Sequence, residues 1–477
     1  MENNKKKFTI IGAGPSGLAC AYTLSQDGRE IKIFEKSASI GGLAKTLKHG
    51  DCMYDVGPHR FFTLNKEIEK FYLKILSKDA IEVKRFTRIL FKGELFSYPL
   101  TPFSTIIKLG FLDSIKILKD YFISIYNKKI LGKKPHNFED WIILNFGREL
   151  YRKFFKTYTE KVWGIDCKNI SKDWAAQRIK NLSFLNAIFS PIIKKFKKKK
   201  VKTLVDQFWY PKYGAGSFYE KIKKNIESDK VKFFLENSLE KIYHENFNIT
   251  SIKVKNLDGV NNVVSDFYFF SCPFTEVLEK MEPKPPTDIV NACNKLNYRN
   301  HISVKLEVHG DLFKDNWIYI HDPNVRMARV ANYINFSKEM SPNGKVNPIT
   351  VEYFCFENDE IWNSNDEELI KLAENEMRIA KLFTNEDVVK KGFVERSRKA
   401  YPIIEMGYDE EVDKIRNYLS KFQNFNVIGR SGMFKYNNQD HAMATGIYAA
   451  KNIIFGTNTD IWKINSDGVY QEGDVKL

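Results

Sequence analysis

A chain of 477 residues is too long for one ordinary hydrophobic core, so two or more domains are expected, and 43% hydrophobic with 14% aromatic residues is ample for globular packing. Six cysteines without a CxxC spacing argue against a disulfide frame or a zinc site, and no metal is expected. The excess of 75 Lys+Arg over 59 Asp+Glu, a net charge of +16, points to anionic partners, although a lysine-rich compositional bias explains it equally well.

The start, MENNKKKFTI, passes from polar and basic residues straight into a strand, so a secretory leader is not expected. No apolar run approaches the roughly 18 residues of a membrane span. A cytoplasmic location follows, possible peripheral contact with the inner face of an anionic membrane included. FTIIG (8–12) reads as a short buried strand, and GAGPSG then sets Gly12, Gly14 and Gly17 in G-x-G-x-x-G spacing. A helix pattern stops at Gly28, and a second strand, IKIFE, ends in Glu35. This is a βαβ dinucleotide unit. Gly12 permits the tight turn, Gly14 lets a pyrophosphate approach the backbone beside Ser16, and Gly17 lets helix and strand pack closely. The helix N-terminus offers N–H groups to the phosphates, and Glu35 can accept both hydroxyls of a ribose.

After Glu35 and Lys36, the pair Gly41-Gly42 and Leu43 follow the acidic strand end. That extension resembles flavoproteins of the glutathione-reductase type, which favours FAD over NAD as the resident cofactor. YDVGPHRFF (54–62) comes next. Together GAGPSGLA, EK with GGLAKT, and YDVGPHRFF resemble the start of the UDP-galactopyranose mutase and amine-oxidase superfamily. The resemblance implies that Gly57-Pro58-His59 is the strip of chain facing the flavin, with Gly and Pro there for backbone shape and His59 there to hydrogen-bond or tune the reduced flavin.

The resemblance continues along nearly the whole chain. TRILFKGELFSYPLT (87–101) is similar to the mutase stretch ending in Tyr-Pro and brings Tyr98. NFEDWIILNFGRELYRKFFKTYTEKVWG (137–164) is similar to the family's helical region and brings Trp163. By the same resemblance Arg178 in DWAAQRIK and Arg329 in ARVANYINFS bind the substrate diphosphate, Tyr319 in WIYIHD meets the substrate, and Tyr401 in RKAYPI matches the Tyr-Pro site. NVIGRSGMFKYNNQDHAMATGIYAAKNI (426–453) reads as strand, loop and helix. There the resemblance implies a second FAD contact through Gly429, Asp440 and Met443, and a tyrosine, Tyr436, that reaches the substrate phosphates.

The expected fold class is α/β: a Rossmann-like FAD-binding domain with an inserted helical domain and an antiparallel β-sheet substrate domain. The FAD domain is expected from 1–90, 205–295 and 385–477, with one strand over KVKFFLENSLEKIYHE; the helical domain from 91–204; the sheet from 296–384. The lysine run 194–202 reads as an exposed loop. With the apolar stretches 182–193 and 104–129 it could touch an anionic membrane, although a helical-domain core is favoured.

The activity the resemblance implies is a nucleotide-sugar mutase that interconverts pyranose and furanose forms through a bond between reduced-flavin N5 and the sugar, with NAD(P)H as a possible reductant. Paired arginines and tyrosine hydroxyls suit a diphosphate. The partners are then a nucleotide sugar, not nucleic acid, and homo-oligomers are possible. The chain departs from the mutase pattern at Leu100, Thr101 and Thr159, and has Gly-Pro-His where mutases have Gly-Gly-His, which leaves the sugar and base open. The alternative is an oxidase or desaturase of the same superfamily, which would need an apolar tunnel in place of the arginine pair.

Overall fold

A computed structural model describes residues 6–98, 100, 105, 108–179 and 206–465, with backbone only at 176–179. The FTII run becomes the strand Lys7–Ile11 at the centre of a five-stranded parallel sheet. Its neighbours in order are Phe425–Val427, Phe267–Phe270, Lys7–Ile11, Glu30–Phe34 and Val231–Phe234. A strand covered on both faces needs continuous apolar side chains rather than alternation. FYFF at 267–270 is accordingly buried at every position. That strand rejoins the dinucleotide sheet as expected, in register with Phe8 to Ile11.

The helices Pro15–Ser25 and Gln439–Phe455 cross over this sheet at very short range. A Cβ on Gly446 would stand 2.1 Å from the Ser16 carbonyl oxygen. Gly446→Ala therefore forces the helices apart, and a loss of about 1–3 kcal/mol is expected, read by urea denaturation beside the wild-type chain.

The segment KVKFFLENSLEKIYHE is two strands rather than one. Val231–Phe234 completes the parallel sheet, and Ser238–Glu245 opens an antiparallel sheet with Asn248–Asn256, Gly259–Val263 and the short strand Met281–Glu282. Glu236, at φ 57°, turns the chain between them, and the Asn237 N–H donates to the Glu35 carbonyl oxygen at 2.9 Å. The apolar VKFF suits the sheet covered on both faces, whereas SLEKIYHE does not.

The third sheet has seven strands, in the order Val388–Pro402, Tyr298–His309, Asn347–Cys355, Arg329–Asn332, Trp317–Ile320, Thr87–Phe91 and Glu94–Ser97. It extends past the expected 296–384 at both ends, because 87–97 adds its edge hairpin and Val388–Pro402 pairs along the whole of Tyr298–His309. Helices Phe111–Lys129, Phe138–Phe146, Thr157–Trp163 and Lys172–Ile179 make up the helical part. The helical region 137–164 is interrupted at Gly147, whose φ is 91°. The apolar stretch 182–193 and the lysine run 194–202 lie outside the described residues. Among the described residues, no helix is long and apolar enough to cross a membrane.

Candidate active site

The carboxyl ends of the parallel strands open into a cavity of about 600 Å³ that runs on beneath the seven-stranded sheet, a volume in the range of small-molecule sites. At one end stands the glycine loop. Gly12 has φ +98°, and a Cβ there would lie 2.3 Å from Ser271 Oγ. A Cβ on Gly17 would lie 2.0 Å from the Gly12 carbonyl oxygen. Gly14 differs: nothing lies within 4 Å of its would-be Cβ, so the backbone there is bare toward a ligand. Gly14 and Ser16 line the cavity at the start of the helix. The Glu35 carboxylate is fixed at its wall, accepting the Ala13 N–H at 2.8 Å, the Ser37 N–H at 3.0 Å and the Ser37 hydroxyl at 2.7 Å. Lys36, Gly42 and Leu43 line the same end.

Pro58 and His59 form the next stretch of wall. The strip is anchored at Asp55, a fully buried residue. Its carboxylate accepts Thr46 Oγ1 at 2.5 Å, the Tyr210 hydroxyl at 2.7 Å and the Ala215 N–H at 3.0 Å. Burial pushes that carboxyl up to about 6 against those hydrogen bonds. The buried Lys305 reaches the strip from the seven-stranded sheet and donates to the Asp55 carbonyl oxygen at 2.5 Å. Burial draws the Lys305 ammonium down to about 7, against the charges of Glu352 and Asp55. Gly57 does not line the cavity; its Cβ would meet Glu352 Oε2 at 3.0 Å and Arg329 Nη2 at 3.4 Å.

His59 is held neutral. Burial, then the charges of Arg329 and Arg430, lower it to about 3, and its Nδ1 is buried with no hydrogen-bond partner. Burial also lowers His321, stacked 4.7 Å from the Tyr158 ring, to about 3. An ordinary histidine protonates near 6.5, so each contributes stability that is complete above pH 6.5 and lost as pH falls toward 3. His321→Phe keeps the stack and removes one such group. Its unfolding free energy is expected to fall less between pH 7 and pH 5 than that of the wild-type chain, read by urea denaturation at both pH values.

The seven-stranded sheet supplies the roof. Tyr319 and Arg329 line the cavity, and the Tyr98 ring lies 5.1 Å from Tyr319. Arg329 is not a free cation. Its Nε donates to Glu352 Oε1 at 2.6 Å and its Nη2 to Oε2 at 2.5 Å, and His301 Nε2 lies 2.9 Å from Oε2. Glu352 is 0% exposed. Burial raises its carboxyl, but the Arg329 charge and the hydrogen bonds from Arg329 and His301 win, leaving it at about 2.

The C-terminal segment closes the site. Gly429, at φ +83°, packs on Ser16, whose Oγ a Cβ would meet at 2.2 Å. Arg430 then enters the cavity against two adjacent rings, its guanidinium carbon 4.2 Å from the centroids of both Tyr401 and Tyr436, which lie 5.5 Å from each other. Its Nε and Nη2 are buried with no hydrogen-bond partner. Asp440, in the first turn of Gln439–Phe455, lines the cavity and is buried. Met443 and Trp163 are buried behind the wall, Trp163 at 5.7 Å from Tyr436. Tyr401 backs the lining at Ala400. The side chain of Arg178, on the helix Lys172–Ile179, lies outside what is described.

Arg430, Glu352, His301, Lys305 and Asp55 are missing from the sequence-derived site. Asp55 and Arg430 carried a signal, each adjoining a glycine-containing turn after a strand; the other three sit in ordinary strand patterns that only pairing across the sheet brings together.

Residues 10–75 match the family described as NAD(P)-binding Rossmann-like domain. The chain is 28% identical over 177 residues to the protein described as "Probable UDP-galactopyranose mutase" of Klebsiella pneumoniae, covering 34% of this chain and 42% of that one. It is 25% identical over 178 residues to the dTDP-fucopyranose mutase of Escherichia coli, covering 34% and 43%. These matches thus span about two fifths of the length of each relative. The whole fold superimposes on a crystal structure of reduced UDP-galactopyranose mutase with a TM-score of 0.82 at 21% identity, over 97% of this chain and 98% of that one. With the glycine loop, the buried strip and the closing C-terminal helix all in one architecture, this chain has the fold of UDP-galactopyranose mutase, built on a Rossmann-like dinucleotide-binding domain.

Proposed function

We propose that this protein is an FAD-dependent nucleotide-sugar mutase, interconverting pyranose and furanose forms of a sugar carried on a nucleoside diphosphate. The observation that carries the reading is Arg430, a half-buried side chain whose guanidinium lies against the rings of Tyr401 and Tyr436 with two buried N–H groups unanswered by protein. A fork of that kind suits phosphate oxygens. The relatives that act on nucleotide sugars by name point the same way.

The fit to FAD rests on three observations. Gly14 leaves the backbone bare for a pyrophosphate, Glu35 stands ready at the end of the second strand for a ribose, and His59 Nδ1 is an unpaired buried group on the strip. Reduced flavin, when bound, supplies a nucleophilic nitrogen to the anomeric carbon. Around it the chain's own residues bind and orient. Gly12 to Gly17 and the helix N-terminus hold the pyrophosphate. Asp440 accepts hydroxyls of the ribityl chain. Neutral His59, on the cavity wall, would add no charge beside the flavin. Arg430, with the hydroxyls of Tyr319 and Tyr436, would hold the leaving diphosphate within reach for its return. Arg329, neutralised by Glu352, orients the strip at Gly57. The base stays open, since Leu100 and Thr101 replace the family's aromatic and glutamine.

The test is anaerobic. Dithionite-reduced protein is expected to interconvert UDP-galactopyranose and UDP-galactofuranose, or the corresponding dTDP-fucose pair, while oxidised protein does not. Chromatography of the nucleotide sugars reads the result. No conversion in the reduced state, with oxygen consumption on an amine or porphyrinogen, would replace the mutase by an oxidase.

A further inference from the structure

The helix Phe111–Lys129 has two apolar faces, and the fold uses one. Ser114, Ile117, Tyr121 and Ser124 are buried. On the opposite face Phe111, Leu112, Ile115, Phe122, Ile123 and Tyr126 are all exposed, Phe111 by 78% and Phe122 by 63%. At 3.6 residues per turn they share one arc of about a third of the circumference. No described residue covers it. A bare stripe of this length marks an interaction surface.

Charge decides among occupants. Lys119 and Lys129 are the charged residues on that arc, Lys116 stands at its edge, and Lys133 follows beyond the last turn; all four are exposed. The helix's two acids are both engaged: Asp113 takes Lys153 Nζ at 2.8 Å and lies 4.0 Å from Lys116 Nζ, and Asp120 accepts the Glu149 N–H at 3.1 Å. The face therefore combines bulky apolar side chains with lysines and no free carboxylate. Lysine is depleted from protein–protein interfaces, and in a two-fold dimer this stripe would meet its own lysines. An anionic lipid headgroup layer answers both halves of the pattern: phosphates pair with the lysines while the phenylalanines enter the acyl boundary. We propose that this helix seats the protein on an anionic membrane surface, lying in the plane of the headgroups.

The probe is vesicles of phosphatidylcholine with and without phosphatidylglycerol, sedimented with the full chain. Binding is expected only where phosphatidylglycerol is present, and it weakens as salt is raised. Phe111→Glu with Phe122→Glu is expected to cut the bound fraction about tenfold or more, and Lys116→Gln with Lys119→Gln to lower it less, with circular dichroism unchanged in both because the residues are exposed. Three outcomes would overturn the proposal: no binding to either vesicle, binding unaffected by both variant pairs, or a dimer in sedimentation velocity that the phenylalanine variants dissociate.

Discussion

Arg430→Met is expected to lower kcat/KM for the nucleotide sugar about 100-fold, with the fold intact. The side chain ends inside the cavity, 4.2 Å from the centroids of two tyrosine rings, and two of its nitrogens are buried without partners. An apolar isostere preserves the stack and removes a charge that the protein leaves unanswered, so stability has little to lose. A ligand oxygen that used both groups would lose two charge-assisted hydrogen bonds of about 1.5 kcal/mol each, and about 1.4 kcal/mol is tenfold. Arg430→Lys is expected to recover little, because a point charge does not reproduce a planar fork laid against aromatic rings. The measurement is steady-state kinetics on reduced enzyme, with thermal melting to establish folding. Near-wild-type activity in Arg430→Met would remove the observation on which the proposed function stands.

Glu352→Ala is expected to destabilise the protein by about 3–5 kcal/mol, the usual cost of leaving a buried partner charge uncompensated. The orphan would be Arg329, which donates to both carboxylate oxygens of Glu352. The effect has a pH signature. The Glu352 carboxyl sits at about 2 in the folded chain against an ordinary 4.5. Its contribution is therefore complete above pH 4.5 and lost as pH falls from there toward 2. Glu352→Gln should flatten that limb of the stability profile. The paired variant Arg329→Met with Glu352→Leu should recover much of the stability without recovering turnover, since the strip at Gly57 packs directly on this pair. Urea denaturation across pH, with turnover measured beside it, checks all three variants.

The sequence by itself determined the dinucleotide half of this protein. Its signals are local: a glycine at φ +98° between an apolar strand and a helix, a glycine wedged under that helix, and an acid at the end of the next strand all lie within residues 8–35. Backbone sterics and the two-residue and 3.6-residue periods act over such distances, so residue type and spacing carry the information. The YDVGPHRFF strip was legible for the same reason, since Gly and Pro restrict the chain where they stand.

Only the tertiary structure decided the chemistry opposite the glycine loop. Arg329 read as a free cation until antiparallel pairing set it across from Glu352. Lys305 belongs to an ordinary-looking strand, yet it clamps a carbonyl 250 positions away. Arg430 became a site residue because a strand ending at Pro402 and a loop after Gly432 bring two adjacent tyrosine rings against its guanidinium. Charge neutralisation, desolvation and ring stacking depend on what lies within a few ångströms in space, and that distance is written in the pairing of strands rather than in any one of them.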